Sequence, residues 1–493
     1  MNIHTPKFDF DNTYARELGG FYVPWQGERA PKPEIRIINS ELALELGMAT
    51  CQLESPQGAS ILSGSALPEG SSPLAQVYAG HQFGGFSEQL GDGRALLLGE
   101  LLDKKGNRRD IQLKGSGRTP FSRNGDGKAA LGPVLREYLM GEAMHALGIP
   151  TTRALAVVTT GENIVRDGLQ PGAVLTRVAS SHIRVGTFQF FAARGEMEKV
   201  RKLADYAIAR HYPALKDRKT KYLDFLAAVV TAQAELTAHW MRVGFVHGVM
   251  NTDNVAISGE TIDYGPCAFI DTYDPNVVFS SIDREGRYAY GNQPIIARWN
   301  LARLADTLLP LIDTDDLKAV ELASAVINKF PEQYLEFWLT EMSRKIGLTN
   351  RKEQDVDLVN DLFASMEGQG VDYTLFFRSL SQALEGNLDN LIALFDDPTK
   401  ITHWLTKWQD RLSFNPVTPE TRRAIMETTN PIYIPRNHNV EEALLAAWKD
   451  GDLTPFKILL DALSKPFTKR AGLEKFEQPA PENFGPYKTF CGT

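Results

Sequence analysis

The chain has 493 residues, too many for one hydrophobic core, and a length of this order corresponds to about two to four core units. With 43% hydrophobic, 10% aromatic and 23% charged residues, its composition excludes wholesale disorder, a collagen-like repeat and a coiled-coil rod. A net charge of −8 argues against a chain-wide nucleic-acid surface.

Three cysteines, Cys51, Cys267 and Cys491, are too few for a disulfide framework, and no C-x-x-C spacing suggests zinc. The opening MNIHTPKFDFDN lacks a charged segment followed by an apolar one, so no signal peptide is expected. No apolar run reaches the length of about 18 residues that a membrane span needs. These features predict a soluble cytoplasmic protein with no membrane or nucleic-acid partner; a monomer is expected, although no residue pattern specifies the oligomeric state.

Residues 1–75 mix Pro, Gly and aromatics around one helical stretch, INSELALELGM, with Ser40 as its expected cap. The Gly/Ser/Pro cluster from Ser55 to Pro73 reads as a loop. ALLLGELL and DIQLK are predicted strands joined by the turn DKKGN. A helix follows from about Leu131 to Leu147, ended by Gly148 and Pro150; RALAVVTT and AVLTRVA are further strands. From about Thr187 helical patterns dominate, apart from a loop-rich segment at 245–295. The fold class is α+β, a small sheet-rich lobe before a larger helical one. The expected units are an N-terminal extension packed on the core (1–75), an N-lobe (76–185), a helical C-lobe (186–475) and a tail (476–493).

Three clusters carry chemistry. AGHQFGGFSEQLGDGRALLLGE places glycines, among them Gly91 and Gly93, before a strand, where backbone N–H groups can approach a phosphate. Lys114 ends the strand IQLK about twenty residues later, the order of a protein-kinase small lobe. That logic requires a carboxylate on the next helix. Glu137 and Glu142 both qualify by position, and the helical wheel favours Glu142 because it falls amid Leu131, Leu135, Tyr138 and Leu139.

The most specific cluster is GFVHGVMNTDNVAISGETIDYGPCAFID. His247 and Asn254 have the seven-residue separation of a kinase catalytic loop, and Asp263-Tyr264-Gly265 stands where D-F-G would. Asn and Asp oxygens are hard donors suited to Mg²⁺ on nucleotide phosphates. The kinase base position, however, is occupied by Val249, which accepts no proton, and Asp253 is the available carboxylate. His247 reads as a buried loop organiser. Arginines at 94, 118, 123, 136, 153, 166, 177 and 184 are dense for an acidic chain and suit bidentate phosphate binding. Neither H-E-x-x-H nor G-x-S-x-G is present. On the residues alone, an ordinary γ-phosphoryl kinase and a non-catalytic pseudokinase scaffold remain alternatives. Val249 speaks against the first; Lys114, Asn254 and Asp263 speak against the second.

With YAGHQFGGFSEQLGDGRA, IQLKGSGRTPFSRNGDGKA, REYLMGEAMHALGIPTTRAL, the cluster around Asp253 and a C-terminal cysteine, nearly the whole chain resembles the selenoprotein O family of kinase-like protein adenylyltransferases. The resemblance implies a two-lobed protein-kinase-like fold that binds ATP flipped relative to kinases, with Mg²⁺ or Mn²⁺. AMP then passes to Ser, Thr or Tyr hydroxyls of protein substrates and pyrophosphate is released. It further implies that Gly91, Gly93, Arg94, Lys114, Asp126, Gly127, Arg177, Arg184 and Asp263 contact the nucleotide. Asp253 is then the proton acceptor, Asn254 and Asp263 are metal ligands, and Glu137, rather than Glu142, is the partner of Lys114. Cys491 stands where many members carry selenocysteine, and a reversible Cys267–Cys491 disulfide pinning the tail over the active-site loop is a further implication.

Overall fold

The computed structural model describes residues 6–490 apart from Asp167 and Pro416. Its first part is built on an eight-stranded sheet. The strands are β1 (Tyr22–Pro24), β2 (Glu34–Ile38), β3 (Leu74–Gln76), β6 (Ala95–Leu102), β7 (Arg108–Lys114), β8 (Ala129–Ala130), β9 (Arg153–Arg166) and β10 (Gly168–Ala179). A separate hairpin, β4 (Gly80–Gln82) with β5 (Gly85–Ser87), lies between β3 and β6 in the chain. The main order is β1-β3-β6-β7-β10-β9-β2, with β8 paired to β10. Residues 1–75 therefore supply both outer strands of this path.

ALLLGELL reads as a continuous apolar run rather than an alternating one because the sheet is covered on both faces. On one face Leu96, Leu98, Ile111, Leu113, Val158 and Val174 pack with Leu42, Leu46, Leu53, Ile61 and Leu62 of the N-terminal helices. On the other lies the Leu131–Ala146 helix, itself backed by the Thr454–Ser464 helix, with the rings of Tyr138 and Phe456 6.3 Å apart. The central strand β7 ends at Lys114, which registers between Ala95 of β6 and Leu175 of β10. A strand hydrogen-bonded on both sides is the stiffest part of a sheet, so this lysine is rigidly presented.

Two local expectations need correction. The helix at Ser40–Glu45 is capped by Asn39, whose side chain accepts from the Leu42 N–H at 3.1 Å. The stretch after Ser55 is not all loop: Pro56–Leu62 is helical, with Ser55 Oγ accepting from the Gly58 N–H at 3.0 Å and proline in the first turn. Its glycine and serines disguised a helix whose apolar residues Ile61 and Leu62 are buried.

The second part is helical, including Val185–Ala192, Met197–His211, Lys221–Val243 and Gln293–Ile312, and the architecture is α+β. Strands β11 (Phe245–Val246) and β12 (Ala268–Phe269) pair antiparallel and bracket the loop that runs from His247 to Cys267. Among the described residues no helix is long and apolar enough to cross a membrane.

Candidate active site

A cavity of about 400 Å³ opens between the sheet and the loop bracketed by β11 and β12. Gly91, Gly93, Arg94, Lys114, Asp126, Gly127, Arg177, Arg184, Asp253, Asn254 and Asp263 all line it, as does Val249. A larger, more open hollow of about 1020 Å³ beside Tyr22 and Trp25 has only Asp11 and Arg16 as charged lining residues. The smaller cavity is where titratable groups converge.

Gly91 has a positive φ of 87°, and a Cβ there would lie 2.5 Å from the Phe121 ring; one at Gly93 would lie 2.9 Å from the Phe121 carbonyl oxygen. Only glycine fits a backbone pressed this closely onto the 119–126 segment. Between them Asp92 turns inward, fully buried, and accepts from the Gln76 N–H at 3.0 Å. Gly127 is equally constrained, with φ of 69° and a Cβ position 2.1 Å from the Gly117 carbonyl oxygen. Asp126 is held by Arg166 through two contacts of 2.9 Å.

Lys114 Nζ lies 2.5 Å from Glu137 Oε2 and 3.2 Å from Asp263 Oδ1. Glu142, favoured by the helical wheel, instead binds Arg153 through contacts of 2.8 Å and the Asn39 amide at 2.8 Å. The wheel misleads because this helix is buried on nearly every side, Arg136 and Glu137 included.

Asp263 gathers three cations. Arg177 Nη1 is 2.7 Å from its Oδ1, Lys114 follows at 3.2 Å, and Arg184 Nη2 is 3.7 Å from Oδ2. Burial alone would raise its pKa, but Arg177, Lys114 and Arg184 outweigh this and hold the carboxyl well below the usual range. Its φ of 63° is left-handed, a strained state that persists where the surroundings over-determine it. Arg184 is anchored from behind, its Nη1 3.7 Å from Asp92 Oδ1 and its guanidinium 4.4 Å above the Tyr78 ring.

Asp253 and Asn254 lie on the single 3₁₀ turn Thr252–Asn254. Burial pushes the Asp253 carboxyl up to about 6, against the pull of Arg184. Asn254 donates through Nδ2 to the Val249 carbonyl at 3.1 Å, so its amide oxygen is not the atom used in that bond. Oxygen donors from Asn254 and Asp263 on one cavity fit a hard divalent cation that keeps waters and phosphate oxygens as its other ligands. His247 is buried, its Nε2 2.9 Å from the Ile262 carbonyl oxygen, which ties the two loop halves together as a loop organiser should.

Of the other arginines, Arg136 is not a cavity residue. It donates to the Cys267 carbonyl at 2.6 Å and to the Tyr487 hydroxyl at 3.0 Å, binding the tail to the loop. The Thr489 hydroxyl donates to the Pro266 carbonyl at 2.8 Å. Cys267 is buried, and Cys491 lies outside the described residues.

Sequence reasoning missed Gln82, Asn251, Thr252 and Gln189. The Thr252 hydroxyl donates to Gln189 Oε1 at 2.6 Å and accepts from the His81 N–H at 2.7 Å; Asn251 Oδ1 accepts from the Phe83 N–H at 3.1 Å and the Tyr288 hydroxyl at 2.7 Å. Contacts that join polar groups 37 to 171 residues apart in the chain leave no spacing signal.

A family model described as Protein adenylyltransferase SelO matches residues 5–464. The chain is 61% identical over 488 residues to the Protein nucleotidyltransferase YdiU of Cereibacter sphaeroides (strain ATCC 17025), covering 99% of this chain and 100% of that protein. It is 56% identical to the protein of the same name from Chromobacterium violaceum, covering 96% and 99% of the two chains. It is 54% identical to that from Rhizobium rhizogenes, covering 100% and 98%. On this match, and with the predicted nucleotide-site residues gathered on one cavity, the chain belongs to the SelO family of nucleotidyltransferase enzymes.

Proposed function

We propose that this protein transfers AMP from ATP to Ser, Thr or Tyr hydroxyls of other proteins, on a kinase-like fold that binds ATP reversed relative to kinases. The observation that carries the reading is the placing of carboxylates and cations. The kinase base position is the apolar Val249, while Asp253, a carboxylate poised at about 6, shares the cavity with Lys114, Arg177 and Arg184. A base with a pKa near neutrality is both deprotonated and basic enough to work.

In this reading the acceptor hydroxyl oxygen forms a bond to the α-phosphorus, its proton passes to Asp253, and the bond from the α-phosphorus to the β-phosphate oxygen breaks. Negative charge grows on the departing pyrophosphate, where Lys114, Arg177 and Arg184 provide preorganised cations. Glu137 keeps Lys114 aimed into the cavity. A Mg²⁺ or Mn²⁺ ion held by Asn254 and Asp263 supplies charge neutralisation on the phosphates when bound.

The test is incubation with a protein acceptor and ATP labelled at either the α- or the γ-phosphate. Protein-bound α label is expected. Bound γ label would mean a kinase, and neither label a scaffold.

A further inference from the structure

The β4–β5 hairpin is a two-residue turn in which Phe83 and Gly84 both have positive φ, 51° and 86°. Such a turn matches strand twist but is costly for a bulky residue like phenylalanine. Strain of this kind persists only where surrounding contacts hold it. Here the Phe83 ring packs 5.0 Å from Tyr288, and its N–H is bonded to the Asn251 side chain.

The contacts fall in a pattern. Three consecutive hairpin residues hold three consecutive loop residues: His81 binds Thr252, Gln82 binds Asp253 and Phe83 binds Asn251. The Gln82 contact, Nε2 to Asp253 Oδ2 at 3.4 Å, reaches the carboxylate itself. On the carboxylate's other side the hairpin backbone is so close that a Cβ at Gly80 would lie 2.5 Å from Asp253 Oδ1. That oxygen is buried with no hydrogen-bond partner. One oxygen is therefore walled in by Gly80, while the other is engaged by an amide that also lines the cavity.

We propose that Gln82 is a positioning residue for Asp253, its side-chain amide setting the carboxylate plane so that the acceptor's proton is received at Oδ2. The inference rests on the adenylyl-transfer reading above. Rotation about the terminal Asp bond is soft, so a carboxylate walled on one side only is not fixed in angle. A small misplacement of a reacting group is enough to slow transfer while nucleotide binding, which uses Lys114 and the arginines, is untouched.

The experiment is steady-state transfer of α label with Gln82→Met, which keeps length and loses the donor, alongside ATP affinity and the thermal midpoint. A fall in kcat of about tenfold is expected, with ATP affinity within about twofold and the midpoint unmoved. Gly80→Ala crowds the same carboxylate from the opposite side and is expected to lower kcat in the same selective way. Unchanged kcat in Gln82→Met overturns the proposal. So does loss of ATP affinity or of the midpoint in step with kcat, which makes Gln82 part of the hairpin's packing. Absence of α-label transfer by the unaltered chain overturns the adenylyl-transfer reading, and this inference with it.

Discussion

Lys114 Nζ lies 2.5 Å from Glu137 Oε2, joining the end of the central strand to the middle of the helix packed across the sheet. The lysine also faces Asp263, so a single ammonium links sheet, helix and loop. Glu137→Gln keeps the shape and removes one charge, leaving Lys114 drawn toward Asp263 alone. An ammonium no longer aimed by Glu137 is expected to lower kcat/KM for ATP by about 30-fold, which corresponds to about 2 kcal/mol of transition-state stabilisation. Kinetics at varied ATP check this, and a wild-type value would show that the pair does not orient the lysine for the nucleotide.

Asp263 faces Arg177, Lys114 and Arg184 in a left-handed backbone conformation. Asparagine adopts that conformation readily, so Asp263→Asn isolates the charge from the backbone effect. Transfer is expected to fall by about 10³-fold or more, with the fold kept. Activity close to wild type would remove Asp263 from the metal and phosphate site.

For Asp253→Ala the effect is expected in turnover rather than in binding. General-base help is worth about 10²–10⁴-fold, so kcat should fall within that range while ATP affinity changes little. Isothermal titration with ATP beside the rate measurement separates the two. Weakened binding with unchanged kcat would make Asp253 a structural loop residue.

His211 is the last residue of the Met197–His211 helix and is half-buried, its Nε2 2.8 Å from Ser181 Oγ. Burial, and then the charge of Arg210, push it down to about 3, while Asp110 pulls the other way. The unfolded histidine titrates at about 6.5, so between about pH 3 and 6.5 the unfolded state binds the extra proton and stability falls as pH falls. The slope approaches about 1.4 kcal/mol per pH unit, and from pH 7 to pH 5 the contribution is about 2 kcal/mol. His211→Gln lacks the titrating group, so its unfolding free energy, measured in denaturant at the two pH values, should drop by about 2 kcal/mol less than that of the unaltered chain. Equal drops would mean that His211 titrates normally in the fold.

The two described cysteines should differ in reactivity. Cys51 is exposed, whereas burial pushes the Cys267 thiol up to about 12, so at pH 8 only about one molecule in 10⁴ carries its thiolate. Brief alkylation of the native protein followed by peptide mapping should find Cys51 modified and Cys267 untouched. Rapid modification of Cys267 would show that the 263–290 segment opens in solution.

Much of the site was legible because it is written in contiguous stretches. Gly91-Asp92-Gly93-Arg94, the strand ending at Lys114 and the spacing from His247 through Asn254 to Asp263 each follow from local backbone demands. A glycine where no Cβ fits, a lysine at a strand end and oxygen-bearing side chains on one loop are properties of neighbouring residues, and the cavity holds them all. The α+β division was legible for the same reason, since hydrophobic period depends only on local geometry.

What only the tertiary structure decided is which distant groups meet. The wheel gave Glu142 the inward role because it treats a helix as having one buried face, and this helix lies between a sheet and a second helix. That packing turns Glu142 to Arg153 and Glu137 to Lys114. The placing of Gln82 beside Asp253 is likewise invisible along the chain: it depends on a strained hairpin docking against a loop 171 residues away, through backbone N–H groups and one amide that carry no periodic or charge signature. Local sequence sets which chemistry a segment offers, and long-range packing sets which carboxylate receives which cation, because burial and charge pairing are properties of the assembled interior.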